Sequence, residues 1–304
     1  MTSPGESARL RLGSLNLFSG RSSRGVMAGP QALAEAVRTL DVDVLAGQEV
    51  DSGQPRSGGA NQAAQIAQAM NAPYARFAAT VLGTPGEPGW TGVTENVLTD
   101  VGAPPGREVS PHVGGDVSGS QATDVRRSDS SAGPAYGVCL VSRIEVERWH
   151  ELRLPPSRGR FPLVVPGRPA RMMWLRDEPR VALAAQLATG VTVVCTHLSF
   201  VPGVNVRQLR QIRRWLEGLQ LPAPGRPVIV MGDLNMPPMP ARRATGWHPL
   251  VSGPTFPALR PGVQLDHVLG AGLPPGVSAS GELVPDLPVG DHRAVRVALD
   301  LRTR

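Results

Sequence analysis

The sequence contains no lysine. All 31 cationic side chains are arginine, set against 25 carboxylates, and the formal net charge is +6. Arginine suits phosphate recognition, because its planar fork matches phosphate oxygens. A total absence of lysine reads instead as a base-composition bias. The charge therefore admits a polyanionic partner without requiring one. Cysteine is nearly absent as well. Cys139 and Cys195 both lie in apolar, strand-like runs without metal-ligand spacing. That excludes a disulfide framework and leaves two buried free thiols as the expectation. No apolar run is long enough to span a membrane. Met1 to Ser7 is polar and lacks the apolar core of a signal peptide. The expected setting is the cytoplasm. Aromatics are few, while 35 glycines and 31 prolines assign much of the chain to loops.

What is present is a series of short buried strands. A chain of 304 residues can bury a sizeable core. With no internal repeat and no convincing linker, it reads as one domain over 1–304. The stretch Val228 to Met231 is apolar on both faces and ends at Gly232, followed by Asp233 and Asn235. Two residues apart at a strand end, a carboxylate and an amide suit a metal, a phosphate or an attacking water. An Asx-turn closing the strand explains the same residues. Other strands end in the same way. Arg9 to Phe18 carries Asn16, and Asp43 to Val50 carries Glu49 near its end. Gln264 to Leu269 carries Asp266, and Asp291-His292 precede the last strand. Met172 to Leu187 and Val191 to Phe200 read as a hairpin, carrying Glu178 and His197.

Helices are expected from Gly29 to Leu40, Asn61 to Met70 and Asn205 to Leu219. The arginine row on the last of these reads as a solvated face. Arg158 to Arg171 reads as a Pro- and Arg-rich connection. Residues 82–134 are rich in Gly, Pro and Ser and read as a largely disordered insertion, with His112 and Asp116 incidental. Polar residues repeatedly placed at strand ends point to one site along the edge of the sheets.

Taken together, these motifs resemble the endonuclease/exonuclease/phosphatase superfamily. The carriers are Ser14-Leu15-Asn16, Gln48-Glu49-Val50-Asp51, Tyr136-Gly137, Ser142-Arg143, Glu178-Pro179-Arg180, Thr196-His197-Leu198, Gly232-Asp233-Leu234-Asn235, Leu265-Asp266-His267 and Gly290-Asp291-His292. Their order is the family's order. The resemblance implies an α/β (α+β) four-layer sandwich: two mostly antiparallel sheets face to face, with helices outside.

It also implies roles. Glu49 is the principal carboxylate for Mg²⁺ or Mn²⁺, with Asn16 and Asp291 beside it. Asp233 and His292 handle protons and orient water, and either could be the base. Asp266 holds His292 in the correct tautomer. His197 contacts phosphate and Glu178 orients it, while Asn235 donates to the phosphate or transition state. One departure is Val289-Gly290 before Asp291, where many members have a serine.

The expected activity is metal-dependent hydrolysis of a phosphate ester by water, with nucleic acid as the first substrate. Arg158, Arg160, Arg168, Arg171 and Trp174 would grip its backbone. Sphingomyelinase-type members need an exposed apolar hairpin, and none is legible here. A sphingomyelinase- or inositol-phosphatase-type phosphoesterase, or a non-catalytic binding module on the same fold, are the alternatives. No protein partner and no stable membrane insertion are expected.

Overall fold

The computed structural model describes residues 9–95, 97–101, 124–127, 133–165 and 171–301. The chain opens with β1 (Arg9–Asn16), α1 (Gly29–Leu40), β2 (Val44–Ser52), α2 (Gln62–Met70) and β3 (Tyr74–Leu82). Three short strands follow, β4 (Thr91–Gly92), β5 (Val97–Asp100) and β6 (Asp124–Arg127), and then β7 (Ala135–Ser142) and β8 (Val146–Leu154). Next come β9 (Arg160–Val165), β10 (Arg171–Arg176), β11 (Arg180–Leu187), β12 (Thr192–His197) and α3 (Val204–Gly218). The last elements are β13 (Val228–Asp233), α4 (Pro238–Thr245), β14 (His248–Pro249), β15 (Asp266–Ala271), β16 (Ser278–Val284) and β17 (Ala294–Asp300).

The strands form two large sheets. One has the order β16-β17-β1-β2-β7-β3-β5-β6, with β4 on β3; the other is β14-β15-β13-β12-β11-β8. Most pairs are antiparallel, and β1–β2, β5–β6 and β12–β13 are parallel. Alternating side chains of the two sheets meet in a core that includes Leu12, Val44, Leu183, Val193, Ile229 and Val297. The outer face of the first sheet packs on Leu33, Val37 and Leu40 of α1 and Ile66 and Met70 of α2. Leu209, Ile212 and Leu216 of α3, with Ala241 and Ala244 of α4, cover the other sheet. The result is the expected four-layer sandwich.

Local chemistry explains the ends. Asn61 caps α2 by accepting the Ala64 N–H at 3.0 Å. Pro238 opens α4, where its missing N–H is harmless. On α3, Arg207, Arg210 and Arg214 are exposed, so the arginine row is a solvated face as expected.

Several expectations need correction. Met172 to Leu187 is two strands, not one, broken at Asp177-Glu178-Pro179. Pro179 has no N–H for a ladder. Asp177 is held elsewhere, accepting from Ser157 N–H (2.7 Å), Ser157 Oγ (2.9 Å) and Ser199 Oγ (2.9 Å). The Arg158 to Arg171 stretch is more than a connection, because β9 lies within it and pairs with β10 as a separate ribbon. Pro162 argues against a strand interior, but an isolated two-stranded ribbon tolerates it. Met172 and Trp174 stand exposed on that ribbon, so an exposed apolar hairpin does exist. Residues 82–134 contribute β4, β5 and β6 to the first sheet. Residues 96, 102–123 and 128–132, which include His112 and Asp116, lie outside the described residues. The strand β16 was not expected, because its sequence Ser-Ala-Ser-Gly-Glu is exposed and lacks alternation. No helix among the described residues is long and apolar enough to cross a membrane.

Candidate active site

Register brings the polar strand ends to one edge. Asn16 pairs with Gln48, His197 with Asp233, and Asp233 with Asp266. Glu49 reaches this edge through a bulge. The β2–β7 register jumps between Gly47 and Val50, and Glu49 adopts φ +52°. An extra residue in a strand re-aims its side chain. The bulge is braced from behind by Gln62, which accepts the Asp51 N–H at 2.8 Å and donates to Ser19 O at 2.9 Å.

Asn16 is buried between the two sheets. Its Oδ1 accepts the Phe18 N–H at 3.0 Å, so its Nδ2 faces Glu49 Oε1 and Asp233 Oδ2, each at 3.2 Å. In this arrangement its Nδ2 bridges two carboxylates, and its oxygen is turned to Phe18 rather than offered to a metal beside Glu49. Asp233 is buried, and its Oδ1 accepts the Asn235 N–H at 2.9 Å. The Asx-turn is therefore real, and it is part of the site. Extended geometry does not persist, because Asn235 sits at φ +50°. Its Nδ2 donates to Leu198 O (3.0 Å) and approaches His197 Nε2 (3.1 Å). Both amide protons are thereby directed into the protein. The expected donation from Asn235 to a phosphate is not available in this arrangement.

His197 is buried, and burial, then the charges of Arg180 and His292, push its pKa well below the usual range. It is neutral and accepts from Asn235 through Nε2. Glu178, expected to orient it, instead pairs with Arg180 at 3.0 Å. Arg180 is buried and carries positive charge toward His197. Sequence reasoning quoted Arg180, Tyr136 and Asp51 as motif residues but gave them no role. Asp51 holds Arg56 with two bonds (2.9 and 2.7 Å), and the Arg56 guanidinium lies 5.4 Å from the Tyr136 ring centroid. The Tyr136 hydroxyl is kept protonated by burial and by the charges of Glu49 and Glu178. An arginine five residues beyond Asp51 is the only sequence signal for Arg56.

His292 closes the site. Its Nδ1 lies 2.8 Å from Asp266 Oδ2 and 3.8 Å from Asp233 Oδ2. The ring packs on Phe256 with centroids 4.7 Å apart. Burial works against its charge, but Asp266, Asp233 and Asp291 outweigh burial and lift the pKa to about 10. On the other side of the ring, Nε2 stands 3.9 Å from Asp291 Oδ1. That oxygen is buried and has no hydrogen-bond partner. A free imidazole nitrogen thus faces an unpartnered carboxylate oxygen across a short gap.

The crowding of acids is visible in Glu49. Burial first, then the charge of Asp291, raise its pKa to about 7. Asp233 rises to about 6, by burial and by Asp266 against the opposing pull of His292. Such a set of oxygen donors, one of them orphaned, fits a hard divalent cation held by Glu49 and Asp291. Asp233, Asp266 and His292 also lie close enough to ligate an ion. The His292–Asp266 bond already engages two of that group, which leaves Glu49 and Asp291 as carboxylates that could hold an ion.

The endonuclease/exonuclease/phosphatase family model matches residues 13–292. The chain belongs to the endonuclease/exonuclease/phosphatase family. Its members act on phosphate esters. An endonuclease/exonuclease/phosphatase from Beutenbergia cavernae is 19% identical over 96% of this chain and 71% of its own, with a TM-score of 0.58. A mannosyl-6-phosphatase from Bacteroides thetaiotaomicron is 14% identical over 95% and 99%, with a TM-score of 0.56. Sphingomyelinase C from Streptomyces griseocarneus is 16% identical over 96% and 99%, with a TM-score of 0.52. At these identities the likeness is one of fold. No curated protein matches the chain.

Proposed function

We propose that the protein is a metal-dependent phosphoesterase that cleaves a phosphodiester or phosphomonoester by in-line attack of water. The observation that carries this reading is the gap between His292 Nε2 and the unpartnered Asp291 Oδ1, 3.9 Å across. A phosphate oxygen or a water in that gap would find a donor on one side and a metal-binding carboxylate on the other. Mg²⁺, or Mn²⁺, held by Glu49 and Asp291 would offset the charge that develops on the phosphate.

The chain's own residues do the rest. Asp233 and His292 handle the protons: His292, held charged by Asp266 and Asp233, donates from Nε2 toward the gap, and Asp233 is the group left to accept the proton of the attacking water. Asp266 fixes the ring of His292 through Nδ1. Asn16 holds Glu49 and Asp233 apart at a set distance. Arg180, anchored by Glu178, supplies positive charge beside His197, which contacts the phosphate in its neutral form. Asn235 orients His197.

Nucleic acid is the substrate class that the exposed Arg158 and Arg160 support. Arg168 lies outside the described residues. A second reading, an ester presented at a lipid surface, is favoured by the exposed Met172 and Trp174.

The test is hydrolysis of a generic aryl phosphodiester, an oligonucleotide and phospholipid vesicles, each with Mg²⁺ or with chelator, by wild type and Glu49→Ala. The expected result is metal-dependent cleavage of at least one class. Glu49→Ala should be inactive at low Mg²⁺ and partly rescued by excess. Wild-type turnover in Glu49→Ala at ordinary Mg²⁺ would remove Glu49 from the metal site.

A further inference from the structure

The exposed apolar side chains are not scattered. Among the described residues, the large hydrophobic side chains left exposed are Val26, Met27, Leu82, Met172, Trp174, Met239 and Leu259. All of them leave the edge of the sandwich that carries the site. Val26 and Met27 lie in the loop after β1, and Leu82 ends β3 opposite Ala135, which also pairs with Ser52 of β2. Met172 and Trp174 belong to the ribbon between β8 and β11, which meet at Leu154 and Arg180. Met239 lies in the first turn of α4, just after β13, and Leu259 in the loop before β15. Single exposed apolar residues need no explanation, but their confinement to one edge does. Several are far from marginal: Val26 is 66% exposed, Met172 65%, Trp174 59% and Leu259 60%.

Exposed arginines accompany them. Arg24 stands beside Val26, Arg260 beside Leu259, and Arg160 pairs with Arg176 at the base of the ribbon. Exposed Glu87, Glu95 and Asp286 are the acids on the same edge, and they are fewer. Here we infer that this edge docks on the surface of an anionic lipid bilayer, with the ribbon and loops entering the headgroup region around the catalytic cleft.

The chemistry selects this occupant. A nucleic acid would use the arginines and could stack on Trp174, but it has no use for Val26, Met172, Met239 and Leu259. A protein interface gathers apolar residues at its centre and keeps charge at its rim. Here the tips at Val26, at Leu259 and on the ribbon each have an arginine beside them, and the tips come from separate loops. A bilayer interface takes this mixture: aliphatic tips reach the acyl boundary, tryptophan sits at headgroup level, and guanidinium groups meet anionic heads. The ribbon is apolar in sequence on both strands, Phe161-Pro162-Leu163-Val164-Val165 against Met172-Met173-Trp174-Leu175, and pairs with neither large sheet. The inference rests on the phosphoesterase reading for what the cleft would then meet, and not for the binding itself.

The experiment is sedimentation of the full chain with vesicles of phosphatidylcholine alone or mixed with phosphatidylserine, in chelator so that nothing turns over. Wild type should sediment with the anionic vesicles and release as salt rises. Met172→Ser/Trp174→Ser/Leu259→Ser should lower the partition coefficient by about tenfold or more, with an unchanged melting temperature. Arg160→Ser/Arg176→Ser should remove the preference for phosphatidylserine.

Absence of wild-type partitioning would overturn the inference, as would a triple variant that partitions like wild type. So would a triple variant whose loss appears only in self-association or in oligonucleotide binding. Hydrolysis of a soluble aryl phosphodiester by the same preparation separates the two proposals. Turnover without partitioning sinks the docking surface alone, and partitioning without turnover sinks the phosphoesterase alone.

Discussion

Gly232→Ala should damage the fold and the site together. Gly232 lies between Met231 and Asp233 with φ +145°, and a Cβ added there would sit 1.9 Å from the Thr196 carbonyl oxygen. Thr196 is its register partner on β12, and the next pair along is His197 with Asp233. A carbon against a carbonyl oxygen needs more than 3 Å, so the strands must part by about 1 Å or more. The backbone must also hold an L side chain in a conformation such residues rarely adopt, at a further cost of about 1–3 kcal/mol. With the disturbed ladder, the expected destabilisation is about 3–5 kcal/mol. Each kcal/mol lowers the melting temperature by about 2–4 °C, so the melt should fall by roughly 10 °C. Displacing two site residues by that distance should also lower kcat about a hundredfold.

The assay is a calorimetric melt beside turnover of an aryl phosphodiester. Gly218→Ala is the control, since its added Cβ meets nothing within 4 Å at the end of α3. It should be neutral or stabilise by up to about 1 kcal/mol. A Gly232→Ala protein that melts within about 3 °C of wild type and turns over within about threefold would refute the reasoning.

Two other outcomes are expected. Asp266→Asn keeps the shape but removes the charge 2.8 Å from His292 Nδ1; kcat should drop about 10²–10⁴-fold with KM little changed. Equal losses in kcat and Tm would make Asp266 structural rather than positioning. The thiols give a pH test. Burial pushes Cys195 up to about 12 and Cys139 further still, whereas an unfolded thiol ionises near about 8.5. Above that pH the unfolded chain has lost protons that the fold retains, so stability should fall as pH rises. With no lysine in the chain, few other side chains titrate there. Native protein at pH 8 should not react with a disulfide reagent, and Cys195→Ser should melt with a shallower alkaline slope. Fast native labelling would show that the thiols are not sealed.

Much of the fold was legible because burial is written as periodicity. The α1 face Leu33, Val37 and Leu40, and the doubly apolar β13, could only be packed as they are. The ribbon was not legible, for the opposite reason. Its two strands are apolar without alternation and contain Pro162, and nothing local distinguishes them from a proline-rich connection. The break at Asp177 was hidden too, since the serines that hold it come from positions 157 and 199. Long-range hydrogen bonds leave no period in the sequence.

The site divides along the same line. Residue type and strand-end position pointed to Asn16, Glu49, Asp233 and His292, and the family resemblance added Asp266; the fold gathers all five at one edge. Their aim depends on backbone torsions that residue type does not encode. Glu49 at φ +52° and Asn235 at φ +50° both occupy the left-handed region, as do Phe18 at φ +49° and Ser19 at φ +58° in the loop after β1. Asparagine tolerates that region and glutamate does so less readily. The strain at Glu49 is accepted because an unbulged β2 would keep its side chain in the alternation of the strand. It is braced by Gln62, whose amide joins the loop after β1 to the strand beyond the bulge. A sequence reader sees a glutamine at the start of a helix. Only the fold shows that it ties together the two segments bearing Asn16 and Glu49.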